Sequence, residues 1–307
     1  FRFYLDRAHP LDDGALYLAL KYLKRLGGVA AFHCENGSLI AAMEQERLAA
    51  GKTGAAGYPM AHPETTEAEA VARLLRIAQA ADAPVILSPI TCRDSLFELE
   101  QARKRGQSAY ATTCPQYLLL DDSVYYEGEN AGRFVCSPPL RDRSQQEPLW
   151  KALRRDSIQA VASSHRSFTL RQKESDPQDF TAIPAGLPGA ENRGELLYTF
   201  GVSARRLAPE DLCRVLSEAP ARLCGLYPKK GVLQPGSDAD IVVYDPRASH
   251  VIRADDSLSR SDYNPYEGFV TSGGVTQVYL RGRLAVDQGA VLPAPDGRYL
   301  PRGKNSL

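Results

Sequence analysis

Hydrophobic and polar positions along the first 165 residues follow two alternating periods. In residues 12–28, leucines recur at mostly helical intervals and the run ends in two glycines, which predicts a helix with a glycine stop. Residues 29–35 are a short apolar run, typical of a strand buried on both faces. The same order repeats, with helices predicted over 65–82, 95–106 and 147–156 and strands over 83–90, 108–115 and 158–164.

This alternation of strands and helices predicts parallel βαβ units. Residues 1–5 (FRFYL) are also strand-like, and a chain rarely begins within a core strand, so we expect the sequence to start inside a longer parent. A (β/α) barrel fits the repeated pattern better than an open sheet. No G-x-G-x-x-G motif follows a strand, so nothing indicates a dinucleotide or phosphate loop.

The pattern changes after residue 230. Residues 230–246 and 275–292 consist of short apolar runs separated by Gly, Pro and Asp, which is typical of a small β-sandwich. We therefore predict an α/β barrel part over residues 1–228 and a β-sandwich part with an extended tail over residues 229–307.

Composition narrows the possible partners. The 307 residues carry 37 Lys and Arg against 37 Asp and Glu, so charge gives no reason to expect nucleic acid or an anionic membrane as partner. No apolar run reaches the 18 residues of a membrane span. The six cysteines form no C-x-x-C pair. We expect a cytoplasmic protein.

Several phrases of the sequence are distinctive when taken together: FHCENGSLI (32–40), TCPQYLLLD (113–121), CSPPLR (136–141), IPAGLPGAENR (183–193), GSDADIVVYDP (236–246) and DYNPYEG (262–268). They resemble the dihydropyrimidinase/hydantoinase branch of the cyclic amidohydrolases. The resemblance implies a TIM barrel with a small β-sandwich domain. It also implies a pair of zinc ions at the barrel mouth, where a bridging hydroxide attacks a cyclic amide.

The resemblance assigns a role to individual positions. His33 stands at a family metal-ligand position. Three other ligand positions carry replacements: Arg2 for the carboxylated lysine that bridges the metals, Pro89 for a histidine, and Ser164 for the aspartate. A guanidinium remains protonated and cannot be carboxylated, so Arg2 cannot bridge two metals. The family's early H-x-H pair has no counterpart and would precede Phe1, so the chain would begin at about the fourth barrel strand.

The substrate positions of the resemblance are partly retained. Ser137 of CSPPLR is kept, whereas Ala185 replaces an asparagine that contacts substrate largely through its backbone. Framework phrases thus survive while several chemical positions have changed. This contrast predicts a catalytically degraded, dihydropyrimidinase-like pseudoenzyme without a cofactor, acting as a structural or regulatory subunit of a homo-oligomer or beside an active homologue. The alternative is an active hydrolase of cyclic amides with altered ligands and two zinc ions.

Other residues keep two interpretations each. His33 is either a zinc ligand or a hydrogen-bonded residue at a strand end. His165 is either a new acid, base or ligand or a side chain that points away from the barrel lumen. Arg2 and Arg7 either form an anion site or pair locally. Asp121 and Asp122 are either an acid/base pair or part of a turn.

Overall fold

The computed structural model describes residues 2–5, 11–126, 130–176, 178–293 and 297–303. Arg7 lies outside the described residues, and Arg2 is described as part of a strand backbone only. Contacts group the chain into two compact units, one of residues 1–191 with 254–265 and the other of 192–253 with 266–307. The boundary predicted between residues 228 and 229 separates the barrel part from the β-sandwich part, and it stays a prediction.

The first unit is built on a parallel sheet whose five strands lie in chain order. They are β1 (Arg2–Tyr4), β2 (Ala30–His33), β3 (Val85–Leu87), β4 (Ala109–Thr113) and β5 (Ala160–Val161). The predicted parallel βαβ architecture is therefore confirmed. Parallel strands in sequential order place their carboxyl ends at one edge, so His33 at the end of β2, Pro89 after β3 and Ser164 after β5 lie at the same edge of the sheet.

Helices connect and cover these strands. They are α1 (Asp13–Arg25), α2 (Gly37–Ala49), α3 (Gly57–Ala61), α4 (Glu64–Ala81), α5 (Arg93–Lys104), α6 (Pro115–Leu119), α7 (Gln146–Arg154) and α8 (Leu170–Lys173). Helix α1 buries Leu16, Leu20 and Leu23, as the periodicity predicts. It ends with Gly27 at φ +68°, where a left-handed conformation favours glycine.

The start of α4 differs from the prediction. The helix predicted over 65–82 begins at Glu64, with Pro63 as its N-cap, and Thr66 and Glu69, which have the spacing of a capping box, do not cap it. The Thr66 hydroxyl instead donates to the carbonyl oxygen of Pro63 at 2.8 Å. Pro63 has an extended backbone at ψ 165°, so the helical conformation begins at the next residue.

The second unit contains α9 (Arg193–Leu197), α10 (Pro209–Cys213), α11 (Ala219–Leu223) and a separate antiparallel sheet. The sheet consists of β6 (Ile241–Asp245), β7 (Gly274–Leu280), β8 (Arg283–Asp287) and β9 (Ala290–Val291), paired in that order. Strands β7 and β8 are joined by Arg281 and Gly282, both at positive φ, as two-residue hairpin turns require. Across the described part of both units, no helix is long and apolar enough to cross a membrane.

Candidate active site

A buried cluster of polar side chains lies beyond the carboxyl end of β2. His33 is the last residue of the strand, and Glu35 follows it in the turn before α2. Asn36 caps α2 by accepting from the Leu39 amide at 3.0 Å, so the turn has a fixed shape. The exposed fractions of His33 and Glu35 are 2% and 0%, so both side chains are removed from solvent.

Glu35 is the centre of this cluster. Its Oε2 lies 2.9 Å from His33 Nε2 and accepts from the Ser137 hydroxyl at 2.6 Å. Its Oε1 lies 3.2 Å from Nδ1 of His62. His62 Nε2 in turn lies 3.5 Å from Oε1 of Glu44, a buried residue of α2. The carboxylate of Glu35 therefore joins two imidazoles and the half-buried hydroxyl of Ser137.

Burial and hydrogen bonding act in opposite directions on these groups. Burial alone would raise the pKa of Glu35, but hydrogen bonds from His33 and His62 outweigh it and hold that pKa well below its usual range. Burial alone would lower the pKa of His62, but its contacts with Glu35 and Glu44 outweigh it and raise that pKa. The cluster therefore favours a carboxylate on Glu35 and a proton on His62.

Arg141, which is 5% exposed, anchors the segment that carries Ser137. Its guanidinium donates to Thr91 Oγ1 at 2.9 Å, to Glu67 Oε2 at 3.1 Å and to the carbonyl oxygen of His62. Because these acceptors belong to α4 and to segments beside α3 and α5, the Ser137 segment has a defined position.

Of the residues predicted from sequence, the structure brings His33 and Ser137 together, with Ser137 Oγ 3.2 Å from His33 Nε2. Pro89 is buried beyond β3, and Ser164 adopts a left-handed conformation at φ +46° beyond β5. Ala185 is half-buried in the segment before Leu187. His33 is thus hydrogen-bonded within a buried cluster, and its role in metal binding stays a prediction.

Two other candidates have clear local surroundings. The exposed His165 accepts from the backbone amides of Gly189 and Ala190 at 3.2 and 3.3 Å through Nδ1. This ties the segment after β5 to the segment after Ala185. Asp121 accepts from the Ser123 amide at 3.1 Å and begins a 3₁₀ turn over Asp122–Tyr125. Burial raises the pKa of Asp122, with Asp142 and Asp121 adding to the effect.

Sequence reasoning missed Glu35, Glu44, His62, Arg141 and Lys173. Glu35 was within reach, since it lies inside the quoted phrase FHCENGSLI, two residues after His33. Arg141 was within reach too, since it ends the quoted phrase CSPPLR. The other three carried no signal, because isolated charged residues are ordinarily exposed and their partners here come from distant parts of the chain.

The described side chains of this cluster do not by themselves form a dinuclear zinc centre. Zinc needs at least three protein ligands that converge on one point. Within the residues that the structure describes, no group of three His, Cys, Asp or Glu side chains is arranged to hold a metal. One nitrogen of each imidazole in the cluster faces a carboxylate oxygen of Glu35 instead.

Comparisons with known proteins agree with the architecture described above. The model of the amidohydrolase family matches residues 10–285. The chain belongs to the amidohydrolase family. A D-phenylhydantoinase of Escherichia coli O81 (strain ED1a) is 38% identical over 305 residues, which cover 98% of this chain and 66% of that relative. The chain thus spans slightly less than two thirds of the length of that curated relative.

Solved structures of amidohydrolases agree with this assignment. The crystal structure of a D-hydantoinase has a TM-score of 0.96 and 35% identity, covering 100% of this chain and 68% of that protein. A dihydropyrimidinase from Brevibacillus agri NCHU1002 has a TM-score of 0.93 and 33% identity, covering 95% of this chain and 64% of that protein. The predicted fold class, a barrel-type amidohydrolase domain with a separate small β part, is confirmed.

The same comparisons overturn the predicted pseudoenzyme. That prediction gave three substituted positions, Arg2, Pro89 and Ser164, more weight than the rest of the chain. A relative named D-phenylhydantoinase is 38% identical over 98% of the chain. The interpretation as a degraded structural subunit is therefore wrong, and the hydrolase alternative has the better support.

Proposed function

We propose that the protein containing this chain is a hydrolase that opens cyclic amide rings of the hydantoin or dihydropyrimidine class. The observation that carries the proposal is the similarity to a D-phenylhydantoinase along 98% of the chain. The similarity to structures of a D-hydantoinase and a dihydropyrimidinase supports the same substrate class.

The reaction consumes one water molecule. The water oxygen bonds to a ring carbonyl carbon, the bond from that carbon to the ring nitrogen breaks, and the nitrogen gains a proton. The product is an open chain that ends in a carboxylate. An amide carbonyl gains negative charge during this step, so hydrogen-bond donors at its oxygen lower the barrier.

We assign binding roles to the residues of this chain. Ser137 is half-buried whereas His33, Glu35, Glu44 and His62 are buried, so we assign the contact with a bound ring to its hydroxyl. Glu35 accepts from that hydroxyl at 2.6 Å and orients it. Backbone groups around Ala185 complete the contact, as the family resemblance implies. These roles need no zinc ion, and since the described donors do not fit a zinc pair, we assign no step to zinc.

The test is a ring-opening assay with the full-length protein. Phenylhydantoin and dihydrouracil are offered together with an acyclic amide as a control, and products are identified by mass spectrometry. We expect turnover of at least one cyclic substrate and none of the acyclic amide. Absence of turnover on cyclic substrates by folded, full-length protein would overturn the proposal.

Metal content is measured on the same samples. The proposed hydrogen-bonding role of His33 predicts that His33→Ala leaves the zinc content of the full-length protein unchanged. A loss of zinc in this variant would make His33 a ligand and contradict that role. Assembly as a homo-oligomer or with a homologous subunit, and a cytoplasmic location, remain predictions that light scattering and cell fractionation can test.

A further inference from the structure

Lys173 is a buried lysine that the proposed reaction does not use. It is the last residue of the short helix α8, yet its exposed fraction is 1%. The helix is fixed at its start by a capping box, in which Thr169 and Gln172 exchange hydrogen bonds. The Lys173 amide donates to the carbonyl oxygen of Thr169 at 3.0 Å, so the backbone from which the side chain extends is well defined.

The ammonium group of Lys173 lies between two segments of the candidate active site. Its Nζ donates to the carbonyl oxygen of Val135 at 2.6 Å and to that of Pro184 at 2.7 Å. Val135 lies two residues before Ser137, and Pro184 lies directly before Ala185. The Val135 oxygen also accepts from the Gly186 amide at 3.0 Å. Lys173 therefore joins the two segments that carry the proposed substrate contacts.

The segment around Gly186 has little room to shift. A Cβ at Gly186 would approach the carbonyl oxygen of Arg166 to 2.5 Å, so the backbone there packs closely against the segment after β5. Tight packing on one side and the Lys173 ammonium on the other restrict the backbone position at Ala185.

The burial of the Lys173 ammonium group does not stabilise the fold. Burial lowers the pKa of Lys173 to about 8; Cys136 partly opposes this effect, and Arg166 adds a smaller lowering effect. Among the described residues, no carboxylate lies within ion-pair distance of Nζ, whose acceptors are carbonyl oxygens. A cation buried without a counter-charge is less favourable than an apolar side chain of equal size, so a role in positioning explains it better.

We propose that Lys173 is a positioning residue for ring opening: its ammonium group sets the spacing between the Val135–Ser137 and Pro184–Gly186 segments, so that the Ser137 hydroxyl and the backbone at Ala185 contact the same substrate. The inference rests on the proposed function. Carboxylation of this lysine is not implied, because a carbamate would place negative charge beside two carbonyl oxygens.

The test is Lys173→Met in the full-length protein, which keeps the length and removes the N–H donors. The matched control is Lys104→Met, since Lys104 also ends a helix but is exposed. We expect Lys173→Met to raise KM and to lower kcat/KM for ring opening about 10- to 100-fold, as misplaced contacts do, while Lys104→Met matches wild type. A general loss of structure would lower the amount of active enzyme and hence kcat, with KM unchanged.

A second measurement does not depend on turnover. Hydrogen exchange of the Gly186 amide reports the contact between the two segments, and we expect it to be at least about 10-fold faster in Lys173→Met. Unchanged exchange together with wild-type kinetics would overturn the role of Lys173. If wild type opens no ring but exchange at Gly186 still rises, the proposed function fails while the link between the segments stands.

A further variant covers the case in which Lys173→Met does not fold. Lys173→Arg keeps a cation with N–H donors at a similar reach, and we expect it to retain a wild-type KM more closely than Lys173→Gln, which reaches less far. Equal KM values for wild type, the Arg variant and the Gln variant would contradict the proposal.

Discussion

Arg141 offers the sharpest test of how the candidate active site is held in place. Its buried guanidinium makes three hydrogen bonds, to Thr91, to Glu67 and to the carbonyl oxygen of His62. It follows Ser137 by four residues, so these bonds anchor the segment that presents the proposed substrate-binding hydroxyl. Replacing Arg141 with Met keeps most of the side-chain volume and removes the cation.

The size of the expected loss in stability depends on the hydrogen bonds that Glu67 keeps when Arg141 is replaced. Removing one partner of a buried ion pair typically costs about 3–5 kcal/mol, because the other charge is left in the interior. Glu67 still accepts from the Thr91 amide at 2.9 Å and from the Thr91 hydroxyl. We therefore expect Arg141→Met to lower the free energy of unfolding by about 3 kcal/mol, the lower end of that range.

Urea unfolding followed by tryptophan fluorescence measures this change. Trp150 is the only tryptophan of the sequence, is 2% exposed and belongs to the same compact unit as Arg141. The matched control is Arg143→Met, at an exposed position two residues away, for which we expect a change within about 0.5 kcal/mol. A loss in Arg141→Met as small as that of the control would refute the reasoning.

Two further predictions concern the same unit. The contact between Glu35 and His62 makes its full contribution to stability between the ordinary glutamate pKa of 4.5 and the ordinary histidine pKa of 6.5. The contribution falls at lower pH, because Glu35 becomes protonated, and at higher pH, because His62 loses its proton. The stability difference between wild type and His62→Asn, from urea unfolding at several pH values, should therefore be largest in that window, and a pH-independent difference would contradict this. Gly57→Ala should lose about 1–3 kcal/mol in thermal or urea unfolding, because its Cβ would lie 2.5 Å from the ring of Phe180, whereas Gly54→Ala, with open space around it, should match wild type.

The parallel part of the fold was predictable because its strands and most of its long helices bury largely apolar faces. The predicted helix over 95–106 is α5 (Arg93–Lys104), and the predicted strand over 108–115 contains β4 (Ala109–Thr113). Helix α2 (Gly37–Ala49) escaped prediction, because one of its inward positions is Glu44, which breaks the apolar pattern. Pattern analysis cannot anticipate that this glutamate faces His62.

The candidate site was predictable only where the family resemblance supplied positions. Ser137 and His33 are 104 residues apart in the sequence, and the resemblance alone placed them in one site. Lys173 and His62 could not be found in this way, because their burial depends on carbonyl and carboxylate partners that only the folded chain brings near. The substituted ligand positions misled the prediction: they suggested a loss of activity, although the chain is similar to a D-phenylhydantoinase over 98% of its length.

The measurement that tests the central claim most directly is kcat/KM for opening of phenylhydantoin by full-length wild type, Ser137→Ala and Ser123→Ala. The account predicts measurable turnover by wild type, a loss of about 10- to 100-fold in Ser137→Ala, and wild-type values for Ser123→Ala, whose side chain is exposed. Turnover that is equal in all three proteins would show that the reaction takes place elsewhere. An inactive, fully folded wild type would contradict the proposed function itself.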